Sequence, residues 1–250
     1  MAKRRRRWRY EQGLKPRDPR LWLYGRVPAG FWQSSENRHL YLDWLGKQLG
    51  FTQPEDWYHF TGRHLQQRHG WTLRGNFGGS PLAILKDYLP QYDWKEWLFV
   101  SAPQRFWQNP ANRRRYLDWL GKQLGFRRVE DWYRISCEDF AKWHGAGLLA
   151  NTGDSPVAAL KEYRPQYEWL EWRFSGVPKG FWDDPANHRR YLDWLGKQLG
   201  FRRPEDWSQL TRNHLRQWHG SRLLDKFRTP SRIVKEYLAP RASPRKRVKK

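Results

Sequence analysis

Residues 41–51 read Y-L-D-W-L-G-K-Q-L-G-F, and the same eleven residues recur at 116–126 and at 191–201. Identical words at a fixed spacing of 75 residues indicate a tandem array of one structural unit. In the first copy Tyr41, Leu45 and Leu49 fall at helical spacing, so the word predicts the second half of a helix. Gly50 stands where a left-handed residue ends a helix, and Phe51 stands where an apolar residue packs back onto the last turn.

Gly46 lies inside this predicted helix, where glycine costs about 1 kcal/mol relative to alanine. It recurs as Gly121 and Gly196. The recurrence predicts a close helix crossing that leaves no room for a side chain, which is a packing role.

Working outward from the repeated word, each unit shows further helix signals. A short helical segment is expected at Pro54-Glu55-Asp56, and another helix is expected to end at His69-Gly70. A loop of about nine residues then leads to Ser80-Pro81, an N-cap with proline at the first helical position, which opens the third main helix. The prediction is an all-α chain of three tandem repeats of about 75 residues. The predicted domains are a basic disordered arm (1–20), three repeats (21–95, 96–170 and 171–238) and a basic disordered tail (239–250).

The composition narrows the class of protein. The 18 Trp can close a core in a small unit because each large ring buries about 150–250 Å². The single cysteine, Cys137, rules out a disulfide framework and a cysteine-based zinc site. No apolar run reaches the roughly 20 residues that span a bilayer, and the N-terminus lacks the apolar part of a secretory signal. We therefore expect an intracellular protein with no membrane partner, and a nuclear one if its host is eukaryotic.

The net charge of +23 is concentrated at the two ends. Residues 1–20 hold nine Lys/Arg against two acids, and residues 239–250 hold six Lys/Arg and no acid. Such tails are typical of solubility and disorder, or of attachment to a polyanion. Two tails of the same sign flanking one array favour the polyanion.

The order of motifs resembles a known group of repeats. It runs W-L-x-x-x-L-G-F, then E-D-W-Y, then S-P-x-x-x-L-K-x-Y-x-P-x-Y-x-W-x-x-W, over residues 22 to about 238. This is similar to Trp-rich tandem helical repeats of uncharacterised proteins from algae, plants, large DNA viruses and bacteria, which implies the architecture only. Phe77-Gly78-Gly79-Ser80-Pro81 also resembles the ending of helical repeats that accompany homing endonucleases, which implies DNA binding.

Candidate catalytic and metal sites have simpler interpretations. His69, His144 and His219 each stand beside a glycine at a helix end, where a histidine can cap the last carbonyls. The adjacent pair Glu55-Asp56 suits the positive end of a helix dipole, because neighbouring helical residues do not share a face. We therefore expect no enzyme activity, no cofactor and no metal.

The tryptophans could serve a core or stack on bases. Trp44, Trp119 and Trp194 lie on the apolar helix face and are predicted to be core residues. Trp143 and Trp218 are predicted to be partly exposed. Core packing is the favoured role for the set, with base stacking as the alternative.

Basic residues that recur once per repeat predict a phosphate-binding stripe, the alternative being a solvated helix face. Arg114 and Arg189, equivalent to His39, are the favoured contacts, and the third main helix of each repeat would read bases. The predicted nucleic-acid-binding residues are Arg4, Arg5, Arg6, Arg7, Arg38, Arg114, Arg115, Arg127, Arg128, Arg189, Arg190, Arg202, Arg203, Lys246 and Arg247.

The sequence as a whole thus predicts a non-enzymatic repeat protein that binds nucleic acid, DNA in preference to RNA. The alternative is a protein-interaction scaffold whose basic tails serve targeting or solubility. Residues 244–250 would then act as a nuclear address.

Overall fold

The computed structural model describes residues 20–24 and 27–239, in which every regular element is an α-helix or a 3₁₀-helix. The predicted all-α class is therefore confirmed. The predicted disordered arm and tail lie, apart from Arg20 and Ala239, outside the described residues. The chain divides into two compact units, Met1–Phe106 and Trp107–Lys250.

One order of elements recurs along the chain. In the first unit it comprises α1 (Ser35–Leu49), α2 (Gly62–Gln67), α3 (Trp71–Asn76) and α4 (Pro81–Tyr88). The second unit contains α5 (Pro110–Gln123), α6 (Cys137–Lys142), α7 (Ala146–Asn151), α8 (Pro156–Tyr163), α9 (Pro185–Leu199), α10 (Arg212–Gln217), α11 (Ser221–Phe227) and α12 (Pro230–Leu238). Short 3₁₀-helices span Leu21–Tyr24, Phe31–Gln33, Pro54–His59, Glu96–Leu98, Phe106–Gln108, Val129–Arg134, Glu171–Arg173, Phe181–Asp183 and Pro204–Gln209.

The long helix α1 begins and ends as its sequence predicts. The Ser34 side chain accepts a hydrogen bond from the Asn37 amide. Gly50 adopts the left-handed conformation (φ 72°), and the Phe51 amide donates to the Gly46 carbonyl at 2.9 Å. The same closure occurs at the ends of α5 and α9. The backbone carbonyls left over at the helix end are thereby satisfied.

The glycine inside the long helix accommodates an aromatic ring. A β-carbon on Gly46 would lie 3.0 Å from Cζ2 of Trp57, and Gly121 and Gly196 face Trp132 and Trp207 in the same way. The predicted close approach is confirmed, and its partner is the indole of the following 3₁₀-helix. That 3₁₀-helix is anchored by Asp56, whose carboxylate accepts the backbone amides of Thr52 and Gln53.

A helix stands where the sequence predicted a loop. The helix α3 follows Gly70 directly, and its counterparts are α7 and α11. The loop prediction was wrong because Gly75 weakens the helical pattern and no polar side chain caps the start of α3. Leu73 of α3 is fully buried, so tertiary packing stabilises a helix with little local preference.

The histidines at the helix ends act through their backbone. His69, His144 and His219 have φ values of 67°, 62° and 65°, the left-handed region that glycine ordinarily occupies. The next residue is glycine because a tyrosine from the long helix packs against it: the Tyr41 hydroxyl donates to the Arg68 carbonyl at 3.0 Å. The predicted capping role is therefore met by backbone conformation.

The core is mostly aromatic. Trp22, Trp97 and Trp172 are 0–2% exposed and Trp57, Trp132 and Trp207 are 5–6% exposed. Contrary to prediction, Trp44, Trp119 and Trp194 are only partly buried and line the margin of the core. They lose full burial because Trp22 and Trp172 occupy the centre and pack edge-on against Tyr41 and Tyr191. Trp143 and Trp218 are partly exposed, as predicted.

Candidate nucleic-acid interface

Arg38 belongs to a clamp inside the first unit. Its Nε and Nη2 donate to the two carboxylate oxygens of Asp87 on α4 at 2.7 and 2.9 Å. Its Nη1 donates to the carbonyls of Trp32 and Gln33 at 3.0 and 2.9 Å. This guanidinium ties α1 to α4 and has no donor to spare for a phosphate. Its assignment as a binding residue is therefore replaced by a structural one.

The clamp recurs with different residues in the second unit. Arg113 donates to the Trp107 carbonyl at 2.7 Å and pairs with Glu162 at 2.7 Å. His188 faces Glu236 at 3.0 Å and the Trp182 carbonyl at 2.6 Å. The position equivalent to Arg38 is thus an ion-pair position in every repeat.

Arg190 is also committed within the protein. Its Nη2 lies 2.6 Å from Oε2 of Glu171 and 2.9 Å from the Trp169 carbonyl, and Lys161 contacts the same carboxylate at 2.6 Å. Burial alone would raise the pKa of Glu171, but the hydrogen bonds from Arg190 and Lys161 hold it below its ordinary value. Arg190 is therefore a structural residue in place of the predicted phosphate contact. Arg115, at the equivalent position of α5, is half-buried and is not free either.

The two favoured residues of the predicted stripe differ from each other. Arg114 is exposed, and its guanidinium has no hydrogen-bond partner in the described part of the chain. Arg189 is half-buried, donates to the Tyr237 carbonyl at 3.0 Å and lies over the Tyr237 ring. His39 bonds to the Ser35 carbonyl at 2.8 Å, one turn back on its own helix. Only Arg114 of these three presents a free cationic group.

A second set of arginines is held by its backbone and leaves its side chains free. The amides of Arg127 and Arg128 donate to Asp131 at 2.8 and 2.9 Å. These backbone hydrogen bonds lower the pKa of the Asp131 carboxyl, which stays charged at neutral pH. Arg202 and Arg203 are held in the same way by Asp206 at 2.8 Å each. The four side chains are exposed, and within residues 27–239 none makes a side-chain ion pair.

The third main helix of the repeat is a packed element. In α8, Val157, Ala159, Leu160 and Tyr163 are buried. Its exposed charges, Lys161 and Glu162, are taken up by Glu171 and Arg113. The predicted base-reading role is therefore not supported for α8, because the side chains that would enter a groove are engaged in the core or in ion pairs.

Aromatic rings suited to base stacking are scarce on the described surface. The large exposed rings there are those of Trp71 (54%) and Tyr24 (49%), and the Arg74 guanidinium already covers Trp71 at 5.2 Å. A ligand held by the described residues would be contacted mainly through charge.

Other sites have little chemical support. Cys137 is exposed and contacts only the Asp154 carbonyl among the contacts found. Residues 20–24 and 27–239 contain no cluster of three His, Cys, Asp or Glu side chains that could hold a metal ion. Within the same residues, no helix is both long enough and apolar enough to cross a bilayer.

The charge is distributed unevenly among the repeats, a signal that comparison of equivalent positions would have revealed. Residues 21–95 hold eight Lys/Arg against six Asp/Glu, and residues 96–170 hold eleven against nine. Residues 171–238 hold fourteen against eight. The third repeat therefore has the largest excess, and the sequence-based list omits several arginines that cause it.

The remaining predicted residues, Arg4 to Arg7 together with Lys246 and Arg247, lie outside the described residues. Comparisons of the chain with models of protein families, with curated proteins and with solved structures find no match.

Proposed function

We propose that this chain is a non-enzymatic nucleic-acid-binding protein that contacts the phosphate backbone and prefers DNA to RNA. The observation that carries the proposal is the contrast between paired and free arginines. Arg38, Arg113 and Arg190 are consumed by ion pairs, whereas Arg114, Arg127, Arg128, Arg202 and Arg203 keep exposed guanidinium groups.

The free arginines fit a phosphate ligand for an energetic reason. Placing four like charges in pairs on two loops is unfavourable unless an anion neutralises them. Arginine recognises phosphate with paired N–H donors. Asp131 and Asp206 are occupied by the loop amides, which leaves the side chains available.

Salt dependence tests the proposal. Binding of fluorescein-labelled duplex DNA, single-stranded DNA and RNA of one sequence would be followed by anisotropy at several salt concentrations between 50 and 200 mM. We expect affinity for duplex DNA to fall steeply with salt, since each phosphate contact adds about −0.9 to the log–log slope. Binding that is absent at low salt, or insensitive to salt, would contradict the proposal and favour a protein-interaction scaffold.

A variant built from the protein's own first repeat sharpens the test. Thr52 and Gln53 stand where the later repeats have the arginine pairs, so R127T/R128Q/R202T/R203Q preserves the loop and removes four charges. We expect its slope to be less negative by about 2 to 4. Deleting 1–20 and 239–250 should reduce the slope further, because these tails hold more than half of the net charge.

A further inference from the structure

We propose that the third repeat carries a second phosphate-binding surface, formed by Arg212, Arg216, Arg228 and Arg232. This surface is called the third-repeat patch below. It is separate from the arginine pairs discussed above, and its ligand is the phosphodiester backbone of a nucleic acid, so the inference rests on the proposed function.

The patch brings together three elements of the third repeat. Arg212 at the start of α10 donates from Nη2 to the Arg228 carbonyl at 2.9 Å, which joins α10 to the residue that ends α11. Arg228 precedes Thr229, the N-cap of α12, and the Arg232 amide lies 3.4 Å from the Thr229 hydroxyl. Arg216 follows Arg212 by four residues and so lies on the same side of α10.

The corresponding place in the first repeat shows that these positions share one surface. Gly62 and Gly79, equivalent to Arg212 and Arg228, line a single cavity of about 450 Å³ together with Ser80, equivalent to Thr229. Arginine side chains at the equivalent positions therefore project from the rim of one concavity.

The charge of the patch is specific to this repeat. Arg212, Arg216, Arg228 and Arg232 stand where the first repeat has Gly62, Gln66, Gly79 and Ala83, and where the second has Cys137, Ala141, Asp154 and Ala158. A fold that closes twice without these arginines does not require them for folding.

The four side chains are exposed, and none forms an ion pair with a described carboxylate. Asp225 is the nearby acid on α11, and Glu236 of α12 is engaged with His188. Arg228 also holds a left-handed backbone (φ 69°), where the first repeat has glycine. A charged residue kept in a conformation that costs about 1 kcal/mol relative to glycine points to a use for its side chain.

Paired charge-removal variants of the full chain test the patch. R216Q/R228G/R232A replaces three arginines by the residues of the first repeat at the same positions. K47Q/R63Q/R68Q removes three exposed charges from the first repeat and serves as the control. The probe is a labelled 20-bp DNA duplex, followed by anisotropy between 50 and 200 mM salt, with thermal melting to confirm folding.

We expect the patch variant to make the salt slope less negative by about 2 to 3, and the control to change it by less than 1. Equal effects of the two variants, or an unchanged slope in the patch variant while wild type binds the duplex, would overturn the patch and leave the proposed function intact. If wild type itself binds neither duplex DNA, single-stranded DNA nor RNA, both proposals fail.

Discussion

The hydroxyl of Tyr41 occupies the space that a side chain on Gly70 would need. A β-carbon on Gly70 would overlap the hydroxyl oxygen and would lie 2.7 Å from the ring carbon Cζ that carries it. Gly70 has φ −94°, a conformation open to any residue, so the requirement for glycine is steric. Tyr116 with Gly145 and Tyr191 with Gly220 repeat the relationship.

Gly70→Ala is expected to destabilise the first unit by about 1–3 kcal/mol, the usual cost of forcing atoms into a packed site. Gly75→Ala, five residues further on, is the control, because nothing lies within 4 Å of its added β-carbon. We expect it to be stabilising by about 0.5–1 kcal/mol. Urea unfolding measures both. Equal effects of the two substitutions would show that Tyr41 moves aside without cost.

Arg222→Thr is expected to stabilise the third repeat. The indole N–H of Trp182 is buried without a partner, whereas that of the equivalent Trp32 donates to Thr72 at 2.8 Å. Thr at 222 would supply the missing hydroxyl and contribute about 1 kcal/mol. Thr72→Val is the reverse experiment and should cost about 1–3 kcal/mol, because it strands the Trp32 donor. A destabilised R222T variant in thermal melting would contradict this account.

Arg38→His should weaken the α1–α4 clamp by about 1.5–3 kcal/mol, since it removes hydrogen bonds to a carboxylate. An imidazole has two donors at most, whereas the guanidinium makes four contacts here. In the third repeat, Lys226 compensates by donating to the Trp182 carbonyl that His188 also contacts. Adding Asn76→Lys to R38H, which reproduces the Lys226 position, should recover part of the loss. Unfolding curves of R38H that superimpose on wild type would refute the clamp.

The first unit is expected to lose stability below about pH 6.5. The Thr61 amide donates to Nδ1 of His64 at 3.3 Å, which requires an unprotonated nitrogen. Burial, with smaller effects from Arg68 and Arg63, lowers the pKa of His64 from 6.5. The unfolded chain therefore takes up its proton first. The contribution of the neutral ring is complete above pH 6.5 and is lost as the pH falls from there through the folded pKa.

His64→Asp provides the comparison, because Asp139 already caps the equivalent helix by accepting the Ser136 amide at 2.8 Å. Capping contributes about 0.5–2 kcal/mol. We expect the melting temperature of the variant to change less than that of wild type between pH 7.5 and 5.5. The same change in both proteins would assign the acid sensitivity to other groups.

Local features of the fold were predictable, and distant pairings were not. The end of α1 follows from Gly50 and Phe51, whose roles depend on residues within one turn. The partner of Arg38 is 49 residues away and that of Arg190 is 19 residues away, so a basic run in the sequence could not show which guanidinium groups are already satisfied. The helix α3 was missed because packing of Leu73 outweighs a weak local signal.

Tyr58 and Tyr133 accept the chain that follows their repeats: each hydroxyl receives a backbone amide, from Lys95 and Leu170, and each ring packs against Trp94 or Trp169. The third repeat has Ser208 at this position, and residues 239–250 contain no tryptophan-bearing counterpart of that segment. Head-to-tail contacts that do not close generate open filaments. Because a serine offers no ring for an incoming tryptophan, another copy of the chain cannot add to the third repeat in the way successive repeats join. Growth of fibres by that route is therefore blocked by a single residue.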